Sequence, residues 1–158
     1  VAALGSPGMA KLTGESTSEI NAPIDAVWAV IEDVPTAAQW QGGYRRMTAL
    51  ERDADGRATL VEVVADGKVK DLTSHQRFSY NAPTQLSWEQ TKGDMKAVTG
   101  SWTLEDLGDG RTKATFALEA DPGRVLGMAI RGPVEMALRA LLVNSRADEL
   151  KRRAEQPA

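Results

Sequence analysis

A chain of 158 residues, 42% apolar and 26% charged, has the size and balance of one globular domain and not of a disordered segment. Its net charge of −3 argues against a nucleic-acid binder, whose footprint is a basic excess. With no cysteine and one histidine, His75, disulfides, thiol chemistry, zinc–thiolate sites and multi-histidine metal sites are excluded.

No apolar run approaches the ~18–20 residues that span a bilayer, so a membrane span is not expected. The opening stretch places Gly5-Ser6-Pro7-Gly8 ahead of Met9 and reads as a cloning remnant. Residues 1–9 are therefore set aside, and residues 10–156 are expected to form a single domain. A cytoplasmic protein is the default expectation.

The first strand is expected over residues 11–21, where Thr13, Ser16, Thr17 and Ile20 make it polar. Asn21-Ala22-Pro23-Ile24-Asp25 then starts a helix, with proline in the first turn and Asp25 near its positive end. Ala26, Val27, Val30 and Ile31 recur at helical spacing around Trp28 until Asp33-Val34-Pro35-Thr36 ends the helix. A short second helical turn, residues 37–40, runs into Gly42-Gly43.

Strands follow over residues 44–52, 57–65, 68–80, 85–90, 96–104 and 111–120. Asp55-Gly56, Asp66-Gly67, Asn81-Ala82-Pro83, Lys92-Gly93-Asp94 and Gly108-Asp109-Gly110 separate them, and Asp-Gly pairs suit tight hairpins because both residues tolerate positive φ. Lys96, Val98, Gly100, Trp102 and Leu104 alternate onto one face, as do Thr112, Ala114, Phe116 and Leu118. Asp121-Pro122-Gly123 ends the sheet, and residues 124–130 read as helix or loop.

Gly132-Pro133 opens a final long helix carrying two apolar stripes. Val134, Leu138, Leu141 and Ser145 form one; Met136, Ala140, Val143, Ala147 and Leu150 form the other. Together they make an apolar face wider than one sheet-facing seam needs. Lys151, Arg152 and Arg153 are expected on a solvated helix end.

This order of elements resembles the START-related helix-grip (SRPBCC) superfamily, which includes birch-pollen-allergen-like proteins, and in particular its polyketide cyclase/dehydrase-like branch. The residues carrying the likeness are Ile20-Asn21-Ala22-Pro23-Ile24-Asp25-Ala26-Val27-Trp28, then Asp33-Val34 and Trp40. Gly100-Ser101-Trp102-Thr103-Leu104 followed by Gly110-Arg111-Thr112 is similar to a recurrent late hairpin of the family. The resemblance implies an α+β helix-grip fold: a seven-stranded curved antiparallel sheet wrapped around the long C-terminal helix, with two short helices after the first strand. It also implies a ligand held between sheet and helix, while one scaffold serves carriers, sensors, cyclases and resistance proteins.

On that expectation Trp28, Val98, Trp102, Phe116, Met136, Leu138 and Leu141 are the candidate ligand-binding residues, each of which also fits a plain core role. His75 shares a strand face with Asp71 and Arg77. If that face is concave the three are candidate catalytic or orienting groups; if convex they are solvated surface. No serine or threonine pairs with His75 on sequence grounds, so nucleophilic catalysis has no support.

The expected activity is binding of an apolar, flat or polycyclic small molecule by a monomer or weak dimer, as carrier, sequestering or natural-product resistance protein. No cofactor and no metal is expected. The alternative is an aromatase/cyclase closing rings on a poly-β-keto chain by acid–base chemistry. Against it, the resemblance implies an arginine and further aromatics where this chain reads Gly67-Lys68-Val69-Lys70-Asp71-Leu72. A protein-interaction module with a filled core is the remaining reading.

Overall fold

The computed structural model describes residues 12–156; the stretch read as a cloning remnant, residues 1–9, lies outside them. Strand β1 (Leu12–Ile20) leads into helix α1 (Ile24–Glu32), a single tight turn (Val34–Thr36) and the short helix α2 (Ala37–Trp40). Six strands follow: β2 (Tyr44–Arg52), β3 (Ala58–Asp66), β4 (Asp71–Asn81), β5 (Gln85–Gly93), β6 (Ala97–Gly108) and β7 (Arg111–Asp121). All seven form one antiparallel sheet in the order β1-β7-β6-β5-β4-β3-β2. Helix α3 (Gly123–Ala129) then crosses to α4 (Pro133–Arg139), a wide turn (Ala140–Asn144) and α5 (Arg146–Ala154).

The hairpins form where small and acidic residues permit them. β6 and β7 are joined by the two-residue loop Asp109-Gly110, both at positive φ, the geometry that matches the twist of the flanking strands. Alternation is kept on the inner face, where Val98, Trp102 and Leu104 on β6 and Thr112, Ala114, Phe116 and Ala120 on β7 are buried.

The polar character of β1 has a packing reason. Its inner face carries Gly14, Ser16 and Ser18, small enough for the C-terminal helix to lie close: a Cβ on Gly14 would sit 3.1 Å from Val143 Cγ1. Ser18 Oγ donates to Asp148 Oδ1 at 2.7 Å, and the backbone N–H of Ala147 donates to Ser16 Oγ at 3.0 Å.

The long C-terminal helix is broken in register. Between α4 and α5 the Ala140–Asn144 turn is a π-helix, and Ser145 Oγ donates to the Ala140 carbonyl at 2.8 Å. The orphan N–H of Ala147 in the next turn is met by Ser16. One extra residue rotates the helix by about 100°. The first apolar stripe therefore faces the sheet before the turn, through Val134 and buried Leu138. The second faces it from Val143 within the turn onward, through Ala147 and Leu150. The apparently broad apolar face is two successive narrow ones.

Candidate functional site

The interior divides into two apolar clusters along the sheet. One, under α1, holds Val27, Trp28, Ile31, Trp102 and Phe116. The other, under α3 and α4, holds Leu12, Leu72, Met95, Val98, Ala120, Ile130, Leu138 and Leu142. Two small chambers lie between these clusters and the sheet. The first, about 70 Å³, is bounded by Leu12, Val63, Leu72, Val98 and Leu142. The second, about 20 Å³, is bounded by Ile31, Val34, Gln41, Met47, Phe78 and Trp102. Tyr44, Gln76 and Trp88 border both and form the partition.

The sequence-predicted residues distribute unevenly around this space. Val98 lines the larger chamber and Trp102 the smaller. Trp28, Phe116 and Leu138 are buried in the clusters and line neither chamber. Leu141 packs over the α2–β2 loop, its Cγ 2.8 Å from where a Cβ on Gly43 would stand.

The expectation that Met136 lines the site is corrected: it is 72% exposed, because the stripe it belongs to turns inward only from the π-helical turn onward. Leu142, which sequence periodicity did not select, takes the inward place.

His75, Asp71 and Arg77 stand on the convex face. The inner face of β4 belongs to Leu72, Ser74, Gln76 and Phe78. The three candidates pair across neighbouring strands instead: His75 with Glu62 at 3.1 Å, Asp71 with Arg45 at 3.2 Å, Arg77 with Glu51 at 3.4 Å. The stretch Gly67-Lys68-Val69-Lys70 is the β3–β4 turn, and Lys68 takes a positive φ there. Neither it nor the three candidates reaches the chambers.

What faces the chambers is uncharged polarity. Gln90 Nε2 donates to the Met95 carbonyl at 2.9 Å, Ser74 Oγ donates to Gln90 Oε1 at 2.9 Å, and Gln76 Nε2 donates to Ser74 Oγ at 3.2 Å. A backbone carbonyl can only accept, so the chain of bonds has one direction. It ends on the buried Gln76. Gln41 Oε1, in the smaller chamber, is buried without a partner. The side chains bounding the two chambers include no His, Asp, Glu, Lys or Arg.

Sequence reading also missed a buried cation beside the site. Arg146, in the first turn of α5, has no exposed surface. Its Nη1 donates to the Gly42 carbonyl at 2.7 Å and to Glu149 Oε1 at 2.9 Å, while Glu149 Oε2 accepts from Gly42 N at 2.8 Å. Its guanidinium lies 4.7 Å from the Tyr44 ring centroid. The pair fastens the α2–β2 loop, and with it the partition residue Tyr44, to the C-terminal helix. Arg146 Nε and Nη2 and Trp40 Nε1 are buried without partners.

Outside the core, a depression of about 340 Å³ lies between α1 and the β2–β3 turn. Its Arg57 is committed to Asp53 at 3.1 Å, Asp55 at 3.3 Å and Glu32 at 3.9 Å. No cluster of His, Asp and Glu able to hold a metal occurs among the described residues. No helix among them is long and apolar enough to cross a membrane.

α3 and α4 lie as a thin lid on the aliphatic cluster beside the larger chamber, through Leu126, Val134 and Leu138, and none of their residues lines the chamber itself. α3 buries Gly127 and partly Leu126, with Ile130 fully buried just beyond it, while Val125 and Met128 face solvent. Gly123 and Gly132, both at positive φ, bracket it.

Residues 11–155 match the family model described as polyketide cyclase/dehydrase and lipid transport. No curated protein matches the chain. Among solved structures, a START superfamily protein from Mycobacterium smegmatis is 19% identical, with a TM-score of 0.76 over 91% of this chain and 97% of that one. The Zhui aromatase/cyclase from Streptomyces sp. R1128 is 18% identical, with a TM-score of 0.75 over 92% and 94%. The di-domain ARO/CYC BexL from the BE-7585A biosynthetic pathway is 18% identical, with a TM-score of 0.66 over 98% of this chain and 53% of that one. At these identities the likeness is one of fold.

Proposed function

Since the chain belongs to the polyketide cyclase/dehydrase and lipid-transport family, we infer that it binds an apolar small molecule between sheet and C-terminal helix and leaves it chemically unchanged. One observation carries this reading. The chambers are walled by aliphatic and aromatic side chains with a few neutral hydrogen-bonding groups, and Tyr44 is the one titratable side chain on their walls. Ring closure by acid–base catalysis needs a donor and an acceptor within hydrogen-bond reach of the reacting atoms. His75, Asp71 and Arg77 point the other way.

Chambers of about 70 and 20 Å³ are smaller than the ~300–1,000 Å³ of small-molecule sites in general. Loading therefore requires the lid to swing. The glycines at its ends and its shallow burial support that motion. Carriage, sequestration and protection from a natural product all use such a pocket.

Native mass spectrometry of protein exposed to a metabolite-rich extract, followed by identification of the bound species, tests the reading. A stoichiometric apolar molecule recovered unchanged supports it. A ring-closed or dehydrated product favours the cyclase reading drawn from the aromatase/cyclase neighbours. No bound mass, with no uptake of an apolar dye, leaves a protein-interaction module.

A further inference from the structure

Helices α3 and α4 turn much of their apolar surface outward. The three most exposed large apolar side chains among the described residues, Val125 at 81%, Met136 at 72% and Met128 at 65%, all stand on this one stretch. Val125 and Met128 are three residues apart and share a face of α3, and Met136 stands in the first half of α4. Ala129, Pro133 and Ala137 are exposed along the same stretch. The β3–β4 turn, which leads into Leu72 of the cluster under the lid, adds exposed Val69. Scattered apolar side chains on a surface are ordinary, but a group of them marks a contact face.

The charges around this face are mostly positive, in a chain whose net charge is −3. From residue 122 to residue 147 the sequence has a single carboxylate, Glu135, and Arg139 pairs with it at 3.2 Å. Arg124 and Arg131, at the two ends of α3, are exposed. Exposed Lys96 lies beside Gly123, where an added Cβ would stand 3.3 Å from the lysine Cβ. Lys68 and Lys70 bracket Val69, partly balanced by Asp66 at 3.5 Å and Asp94 at 3.9 Å. Long basic side chains lay their stems along apolar surface and hold the charge outward.

We propose that this face docks reversibly on an anionic lipid bilayer. Val125, Met128 and Met136 enter the headgroup region, and Arg124, Arg131 and Lys96 meet the lipid phosphates. A stable protein interface needs about 800 Å² on each side and is usually centred on aromatic or arginine anchors in pockets. This patch is smaller, has no aromatic residue and lies on two short helices. Apolar side chains beside basic ones are what a helix lying in the membrane surface uses. The docking concerns the outer side of the lid and does not depend on what the cavity holds.

The chain has no cysteine, so Met128→Cys provides one site for an environment-sensitive fluorophore. The labelled full chain is titrated with vesicles of phosphatidylcholine alone, and with vesicles of equal parts phosphatidylcholine and phosphatidylglycerol. A blue shift is expected on the anionic vesicles only, and raised salt should weaken it. A label at Leu50→Cys, an exposed position towards the far end of β2, should not shift. Arg124→Gln and Arg131→Gln are each expected to weaken the association about fivefold. Met136→Gln, read without a label by co-sedimentation, should weaken it by about as much.

Equal shifts on both kinds of vesicle, or an affinity unchanged when both arginines are replaced, overturn the assignment. A shift that follows protein concentration without vesicles gives the face to a second copy and overturns it as well. No shift on either vesicle overturns docking and leaves the face to another protein. Ligand recovery by native mass spectrometry is untouched by any of these results, so the binding reading and this one fail separately.

Discussion

The two ends of the sheet solve the same burial problem with different materials. Under α1 the filling is aromatic: Trp102 and Phe116 lie 5.0 Å apart edge to face, Trp88 and Phe116 5.8 Å, Phe78 and Trp88 5.5 Å, and Trp40 and Trp102 6.4 Å. Rings with two stiff dihedrals interlock in one arrangement and leave about 20 Å³ unfilled. Under α3 and α4 the filling is aliphatic, chiefly leucine with Met95 and Val98, and the space left is about 70 Å³. Met95 is the adaptable member of that lining, since an unbranched thioether fills irregular space. On the proposed binding reading, the aromatic end holds the fold and the aliphatic end, with its thin lid, is where it opens to load a ligand.

The largest effects should separate the two ends. Trp102→Ala removes a 2%-exposed ring that touches two other aromatics, and is expected to lower unfolding free energy by about 3–5 kcal/mol. Leu142→Ala, on the chamber wall, is expected to lie near the lower end of the ~2–5 kcal/mol range and to increase uptake of an apolar dye. Urea unfolding followed by circular dichroism measures both. Equal costs, or dye uptake gained by the tryptophan variant alone, would break the comparison.

Next in size is the tie between the ends. Arg146→Met leaves Glu149, whose side chain is 11% exposed, without its cation, and is expected to cost about 3 kcal/mol. Adding Glu149→Gln removes the stranded charge while an amide oxygen can still accept from Gly42 N. The double variant is therefore expected to regain more than half of the loss in the same unfolding assay. If Arg146 tethers the partition through Tyr44, both variants also raise dye uptake.

The fold was legible in the sequence because hairpin turns and alternation are local. The strand 44–52 was read to its last residue, and Val98, Gly100, Trp102 and Leu104 share the predicted face. The site was legible only in part. Two apolar stripes on the last helix were visible, but the turn that hands one over to the other depends on Ser145 and on Ser16, a residue on a strand far away in sequence. That is why Met136 was expected inside and is not.

The face of β4 could not be settled from its own residues. Alternation placed His75 with Asp71 and Arg77, and which side is concave depends on the whole sheet. Gln76 and Ser74 gave no signal because isolated neutral polar residues in strands are common. Arg146 looked like the start of a charged helix end. Its burial becomes visible only with Gly42, Tyr44 and Glu149 around it.

A smaller effect is expected at the lid itself. Gly132 has φ 54° and ψ −124°, a conformation that an L side chain resists, and Pro133 follows it. Gly132→Ala is expected to cost about 1–2 kcal/mol. Hydrogen exchange should place that loss in residues 123–139 and leave β5, β6 and β7 unchanged. Even without the substitution, the lid amides should exchange faster than those of the sheet. Protection of the lid equal to that of β6 would mean that both ends are equally closed.

A last effect concerns pH, and it distinguishes the ends by sign and range. Tyr80 packs against the aromatic cluster and donates its hydroxyl to the Ala58 carbonyl. Burial, and then the Asp53 carboxylate nearby, push its pKa up to about 12. Below about pH 10 the phenol is neutral whether the chain is folded or not, and its contribution to stability is complete. As pH rises from about 10 towards 12 the unfolded chain releases the proton first, so stability falls across that window.

Tyr80→Phe should flatten that decline at the cost of one hydrogen bond at neutral pH. Chemical denaturation at a series of alkaline pH values follows it, with tyrosinate absorbance as the independent readout. No histidine or carboxylate borders the chambers, so uptake of a neutral probe is expected to be level from about pH 5 to 9. A bell-shaped uptake profile across that range would mean that a titrating side chain reaches the ligand, and would return the chemistry to His75 or to a carboxylate brought inward by movement of the lid.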